Sequence, residues 1–330
     1  MQALLNRLYE HDTLSREEAR QLLLAITYRR HHPLQVAALT AVYNMRPISM
    51  AELQGFRDAL LELCIPLDLG GVETLDIVGT GGDGKNTFNI STISAVVVAG
   101  AGYKVSKHGS YGVSSSVGSS DVLQALGCTL TRDQDSLRRQ LEQANMCFLH
   151  APLFHPALKE VVTVRKELKT KTFFNMLGPL VNPLQPRYQL YGTYSMELSR
   201  LYHYVMQHSG RRFGIVHTMD GYDEISLTSD FKLRTNDTER VYAPTDLGIQ
   251  KIAAHELHGG DTTEAAVSIF QSILEDRATP AQKQVVTANA GMAIFMIRPQ
   301  QSLEHCMAQA RESIEQGLAY KKFNRLLALQ

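Results

Sequence analysis

The apolar run Leu75 to Val78 leads directly into Gly79-Thr80-Gly81-Gly82-Asp83-Gly84. A polar stretch, Asn89-Ile90-Ser91-Thr92, then opens a long apolar segment that ends near Ala101. This is the pattern of a short buried strand, a glycine loop and a buried helix from Ile90 to Ala101. Four glycines within six residues let the backbone turn tightly and aim several N–H groups at one anion. Asn89, Ser91 and Thr92 stand where the helix begins, so their polar groups and the helix N-terminus suit a phosphate or diphosphate. The spacing matches neither G-x-x-x-x-G-K-[ST] nor G-x-G-x-x-G, so an ATPase phosphate loop and a dinucleotide fold both fit poorly. The plainer alternative is a glycine turn with Asn89 or Ser91 as an ordinary N-cap. The attached polar residues favour the anion site.

The residues before this unit read differently. Ser15 with Glu18, and Ser49 with Glu52, form S-x-x-E capping boxes ahead of apolar helical stripes, and Pro33 suits the first turn of a helix between them. Residues 1 to about 65 therefore predict a small helical bundle, a packing or dimerisation module. After Gly70-Gly71, strands alternate with helices. Strands are expected at Leu75–Val78, Tyr103–Ser106, Met146–Leu149, Gln189–Thr193 and Phe213–His217, with the alternation repeated through the C-terminal third and a closing helix near Leu303–Gln316. Such alternation implies a mainly parallel sheet. The junctions at Gly79, Lys107 and His150 then share the C-terminal edge, where open α/β sheets bind ligands.

Three more loops carry chemistry. Lys107-His108-Gly109-Ser110-Tyr111-Gly112 runs into a Ser/Gly stretch ending at Ser119-Ser120-Asp121. A lysine at a strand end offers a point charge for phosphate, and the serines offer hydroxyls on a loop able to close over a ligand. A solvated loop with a helix cap is the alternative. Asp220-Gly-Tyr-Asp223-Glu224 follows the apolar strand near Phe213–His217, and adjacent carboxylates there suit Mg²⁺, which takes one or two acids plus phosphate oxygens and waters. An acidic surface turn is the alternative. Finally, His150-Ala151-Pro152-Leu153-Phe154-His155-Pro156, with Arg165 further on, offers an apolar pocket with a cationic end for an aromatic carboxylate. His155 as a cap or interior histidine is the alternative.

Composition narrows the function classes. Lys+Arg and Asp+Glu both total 33, so the net charge is zero and a general nucleic-acid or membrane-surface binder is disfavoured. Four scattered cysteines, Cys64, Cys128, Cys147 and Cys306, show no zinc spacing and read as reduced thiols. The N-terminal stretch has no secretory apolar run, and no apolar segment is long enough for a bilayer, so a cytoplasmic protein is expected.

GTGGD, N-I-S-T, KHG, SS-x-x-GS-x-DVL-x-ALG, HAP-x-x-HPA, F-N-x-LGPL-x-NP and DE-x-S occur in that order across nearly the whole chain. The series resembles the anthranilate phosphoribosyltransferase family, within a wider group that includes pyrimidine nucleoside phosphorylases. The resemblance implies an α/β fold of the nucleoside phosphorylase and phosphoribosyltransferase type. A helical domain at 1–69, joined again by about 165–187, would accompany a large α/β domain at 70–164 and 188–330. It implies Mg²⁺-dependent transfer of phosphoribosyl from 5-phosphoribosyl 1-diphosphate to anthranilate, in tryptophan biosynthesis, by a homodimer formed through the helical domain. Gly79, Thr80, Gly82, Asp83, Thr87, Asn89, Ser91, Thr92, Lys107 and Ser119 would hold the diphosphate substrate. Ser91, Asp223 and Glu224 would hold the metal. Gly79, His108, Ser110, Ala151, His155 and Arg165 would line the anthranilate path, with His108 and Lys107 as catalytic groups.

The chain departs from the family in one motif. The usual KHGNR is here Lys107-His108-Gly109-Ser110-Tyr111, so the asparagine expected at the acceptor is a shorter serine and the arginine is a tyrosine. The donor and metal motifs are intact. The rival readings are a related phosphoribosyltransferase or pyrimidine nucleoside phosphorylase with another acceptor, or a non-catalytic relative that binds nucleic acid.

Overall fold

The structure is a computed structural model that describes residues 1–112, 116–168 and 172–330; the side chains of residues 160, 162, 163, 165 and 166 lie outside that description. In chain order, four helices come first: α1 (Gln2–Tyr9), α2 (Arg16–Thr27), α3 (Pro33–Met45) and α4 (Met50–Glu62). Next are β1 (Leu75–Gly79), α5 (Ile90–Gly100), β2 (Val105–Gly109), α6 (Ser119–Ala125), α7 (Gln134–Gln143) and β3 (Met146–His150). Two further helices, α8 (Ala151–Phe154) and α9 (Lys159–Leu168), precede β4 (Tyr188–Gly192), α10 (Met196–Gln207), β5 (Arg212–Thr218), β6 (Phe231–Thr235) and β7 (Glu239–Tyr242). The chain ends in α11 (Thr263–Leu274), α12 (Pro280–Ile297), α13 (Leu303–Glu315) and α14 (Leu318–Leu327).

Contacts divide these elements into two units, Met1–Pro66 with Ala151–Pro183, and Leu67–His150 with Leu184–Gln330. In the helical unit both capping boxes form. The Glu18 backbone N–H donates to Ser15 Oγ and the Ser15 N–H to Glu18, and Ser49 and Glu52 repeat the exchange ahead of α4. Glu52 is also a fully buried charge, bound by Arg46 at 2.5 Å, by the Tyr43 hydroxyl at 3.0 Å and by the Leu14 N–H at 3.0 Å. The returning segment enters through Phe173, whose ring lies 4.7 Å from Tyr43 and 4.8 Å from Phe56. It begins earlier than the expected residue 165 and ends before 187. Phe154 is already buried, and its carbonyl accepts from the Ile65 N–H.

The α/β unit carries one seven-stranded sheet of order β3-β2-β1-β4-β5-β6-β7. The first five strands are parallel, as the alternation predicts, and β6 and β7 are antiparallel. The expected repetition of strand and helix through the C-terminal third is therefore wrong. After the β6–β7 hairpin come four helices, of which α12 is buried along most of its length and lies against β1, β4 and β5. Among the described residues no helix is long and apolar enough to cross a membrane.

Strand order fixes where a ligand belongs. From β1 the chain moves to β2 and β3 on one side, then returns to place β4 on the other side of β1. That reversal is a topological switch point, and open α/β sheets bind ligands outside the strand ends at such a point. The two ends in question are Gly79 of β1 and Gly192 of β4, paired directly in the ladder.

Candidate active site

Gly79 and Gly192 carry no side chain for a visible reason. A Cβ on Gly79 would stand 2.4 Å from Asp223 Oδ2, and one on Gly192 would stand 1.5 Å from the Asp223 carbonyl oxygen. The loop after β5 is thus laid across the switch point, and only bare backbone leaves room for it. The glycine loop then wraps its acid. Gly81 and Gly82 adopt φ of +65° and +77°, which glycine reaches without strain. The Gly81 N–H donates to Asp223 Oδ2 at 2.6 Å, and the Thr80 N–H donates to the Gly192 carbonyl at 2.9 Å. Thr80 is 8 % exposed, and its hydroxyl has no hydrogen-bond partner among the described residues. A buried orphan hydroxyl in the loop that wraps Asp223 is a group held ready for a ligand.

The N-terminus of α5 holds the second acid. The Ser91 N–H donates to Glu224 Oε1 at 2.9 Å, and the Ser91 hydroxyl adds a second bond to the same carboxylate. The anion at this helix terminus is therefore the protein's own. Three other polar groups expected to face phosphate have partners within the fold: Asn89 Nδ2 donates to the Val117 carbonyl at 3.0 Å, and the Thr92 and Ser119 hydroxyls pair at 2.8 Å. Both bonds tie the glycine-loop helix to the neighbouring β2–α6 loop. Asp83 Oδ1 accepts from the Lys85 N–H at 2.9 Å, and Thr87 pairs with His258 in an isolated bridge.

Lys107 is not at a strand end. It lies within β2, 1 % exposed, with Nζ donating to the Ile77 carbonyl at 2.9 Å. Burial pushes its ammonium down, opposed by the charges of Asp76 and Glu224. The lysine is thus a buried counter-ion under the acid pair. His108 is 3 % exposed, its backbone N–H held by Asp76 at 3.1 Å. Ser110 is half-buried at the β2 end, where its carbonyl accepts from the Ser120 N–H. Beside it Tyr111 meets His150 edge-on, ring centres 4.8 Å apart, and the Ser120 hydroxyl lies 2.8 Å from His150 Nδ1. Ala151, His155 and Arg165 belong to the helical unit. There His155 is 1 % exposed with Nε2 2.7 Å from the Val181 carbonyl, which makes it an interior histidine fastening the returning segment. This favours the alternative reading of His155 as an interior histidine. Arg165 lies in α9, and its side chain is outside the described residues.

The electrostatics centre on three acids. Burial, the Glu224 charge and then Asp83 push Asp223 well above the usual carboxylate range. Burial pushes Glu224 up to about 7 against its bonds from Ser91, with Asp83 raising it further and Lys107 lowering it. Charges brought this close and this dry call for a cation. Among the described residues no three Asp, Glu, His or Cys side chains form a metal cage by themselves. The donors present, two or three carboxylates and a hydroxyl, instead suit Mg²⁺ completed by phosphate oxygens and waters.

A sign follows for pH. Glu224 titrates higher in the folded chain than in the unfolded one, so its stabilising share is full below the ordinary value near 4.5 and is lost as pH rises through about 7. A divalent cation must displace that proton below pH 7. Apparent Mg²⁺ affinity, read from thermal shifts, is expected to be about tenfold weaker at pH 6 than at pH 8. A pH-independent Mg²⁺ shift would contradict the assignment.

Comparison with known proteins decides the family. Residues 71–320 match the a/b domain of the glycosyl transferase family, and residues 2–64 match its helical bundle domain. An anthranilate phosphoribosyltransferase of Cytophaga hutchinsonii is 55% identical over 325 residues, covering 98% of this chain and 99% of the relative. The chain belongs to the anthranilate phosphoribosyltransferase family. The anthranilate phosphoribosyltransferase of Thermus thermophilus has the same fold, with a TM-score of 0.90 at 31% identity and 98% of each chain covered. The anthranilate phosphoribosyltransferase of Saccharomyces cerevisiae, 24% identical, superposes with a TM-score of 0.91 over 98% of this chain and 96% of its own, and was solved in complex with PRPP and Mg.

Sequence reasoning missed three residues that touch the backbone of residues 223–225: Gly192, Thr218 and Asn289. Gly192 had a signal, a glycine closing an apolar strand. Thr218 and Asn289 act on backbone groups, which no motif spacing reveals.

Proposed function

We propose that this chain transfers the phosphoribosyl group of 5-phosphoribosyl 1-diphosphate to the amine of anthranilate and releases pyrophosphate. The observation that carries the reading is the acid pair Asp223–Glu224, pressed onto the glycine loop at the switch point of the sheet. In the reaction the bond from ribose C1 to the diphosphate oxygen breaks and a bond from the anthranilate nitrogen to C1 forms. The amine proton leaves to solvent or to a nearby base, and we assign His108 to orient that amine. Mg²⁺, when bound, neutralises charge on the departing diphosphate. The chain's own groups do the rest. Asp223 and Glu224, with Ser91 beside them, hold the cation. The Thr80 hydroxyl and the amides of Gly82 and Asp83 face the anion. Lys107 acts from beneath, balancing Glu224. Preorganised donors of this kind remove on the order of 3 kcal/mol each from a barrier. The aromatic amine is a neutral nucleophile, so holding it against C1 supplies the remainder. We further propose a cytoplasmic homodimer associated through the helical unit.

The test is direct. Protein, 5-phosphoribosyl 1-diphosphate, Mg²⁺ and anthranilate should consume anthranilate fluorescence with one pyrophosphate released per molecule lost. No loss at any enzyme concentration would overturn the reading. Ser110 gives a second check, because it stands where the family carries an asparagine with an amide donor. Ser110→Asn is expected to lower KM for anthranilate several-fold, by about the worth of one hydrogen bond, and to leave KM for the diphosphate substrate unchanged. An unchanged or raised anthranilate KM would show that the position does not touch the acceptor.

A further inference from the structure

The acid pair is fastened from behind at three successive backbone positions. The Asp223 carbonyl lies on bare Gly192. The Glu224 carbonyl accepts from the Thr218 hydroxyl at 2.6 Å. The Ile225 backbone is gripped on both polar groups by one carboxamide: its N–H donates to Asn289 Oδ1 at 3.1 Å, and its carbonyl accepts from Asn289 Nδ2 at 2.8 Å. The same Nδ2 donates to the Val285 carbonyl at 2.9 Å, so the amide is locked to its own helix, α12. Asn289 is 3 % exposed and Thr218 is fully buried.

The arrangement is unusual for its position. Asn289 lies in the middle of α12, a helix buried along most of its length, among Ala288, Ala290, Met292 and Ala293, all buried. A carboxamide there costs several polar groups their water, and it is tolerable only because every one of those groups finds a partner. A core helix of this kind is served by an alanine or leucine unless the amide has a task. The task visible here is to hold the backbone of Ile225 still, directly after the acid pair. Thr218, at the last position of β5, complements it, and its hydroxyl also meets the Ser226 N–H at 3.4 Å. Two adjacent carboxylates on a free loop would sample many orientations. A backbone pinned at both 224 and 225 keeps them side by side before any cation arrives.

We infer that Asn289 and Thr218 are positioning residues that preorganise Asp223 and Glu224 for a divalent cation, acting through backbone and touching no substrate. The inference rests on the proposed role of the acid pair. Outer-shell partners of metal ligands are commonly worth about ten- to a hundredfold in metal affinity.

The experiment is a Mn²⁺ titration in the presence of inorganic pyrophosphate, followed by water-proton relaxation, on the full chain. Thr218→Val removes only the hydroxyl at constant volume, and Asn289→Ser removes the carboxamide. Each is expected to weaken Mn²⁺ binding about tenfold and to raise the Mg²⁺ concentration needed for half-maximal rate, with kcat at saturating Mg²⁺ much less affected. Thr218→Ser, which keeps the hydroxyl, is expected to restore affinity to within about twofold of wild type. Variants that lose thermal stability in EDTA yet bind Mn²⁺ like wild type would overturn the inference, since that is what plain core packing predicts. Should Asn289→Ser fail to fold, the isosteric Thr218→Val with its serine rescue decides alone. Wild type and the paired variant Asp223→Asn/Glu224→Gln calibrate the signal. Equal Mn²⁺ binding by those two would overturn the acid-pair reading, and this inference with it.

Discussion

Exchanging Asp223 for Asn and Glu224 for Gln together is expected to leave a folded protein whose turnover falls by at least about a thousandfold. The direction on stability is the informative part. Each carboxylate titrates above its ordinary range because burial and its neighbours oppose the charge. Both are therefore liabilities to the empty fold at neutral pH, and amides of the same shape relieve the repulsion. The melting temperature in EDTA at pH 8 should match or exceed that of wild type, and the stabilisation by Mg²⁺ should disappear. Groups retained at a stability cost are the mark of a functional site. A variant that unfolds, or one that keeps full activity at ordinary Mg²⁺, would count against the acid pair as a cation clamp.

The second large effect concerns a residue with no side chain. Gly192→Ala would put a methyl 1.5 Å from the Asp223 carbonyl oxygen and 2.7 Å from its carbonyl carbon. Neither is a flexible tip, so the loop after β5 must lift. The shift would break the Thr80–Gly192 and Gly81–Asp223 contacts that join loop to strand. We expect about 1–3 kcal/mol of lost stability from overpacking. A fall in kcat/KM on the order of a hundredfold is also expected, because misplacing a binding group by about an ångström is enough for that. Chromatography, thermal melts and initial rates on one preparation check both figures. A folded Gly192→Ala with wild-type kcat/KM would show that the loop is not held where the structure has it.

How far the sequence foretold these results depends on which interaction is at stake. The glycine loop, the helix after it and the acid pair are local: Gly79 to Thr92 and Asp223-Glu224 each announce their backbone needs within a few residues. The five parallel strands follow from apolar runs between helices for the same reason. Non-local contacts were not legible. Lys107 reads as an exposed grip because β2 appears to end at Ser106. In the fold the strand runs to Gly109 and seals the ammonium against Ile77. The hydroxyls of Thr92 and Ser119 read as separate phosphate ligands, yet they bond each other across two loops. The helix terminus expected to await a phosphate is held by Glu224, 133 residues on from Ser91. The β6–β7 hairpin was readable, since Phe231 and Leu233 alternate with Lys232 and Arg234 ahead of Asn236-Asp237, and the regular βα pattern upstream masked it.

The most direct measurement is a crystal structure of the protein with 5-phosphoribosyl 1-diphosphate and Mn²⁺, using anomalous scattering to locate the metal. The diphosphate is predicted to lie against the amides of Gly82 and Asp83 and the Thr80 hydroxyl, with an anomalous peak in contact with Asp223 or Glu224. A donor bound elsewhere, or metal density away from both acids, would contradict the account.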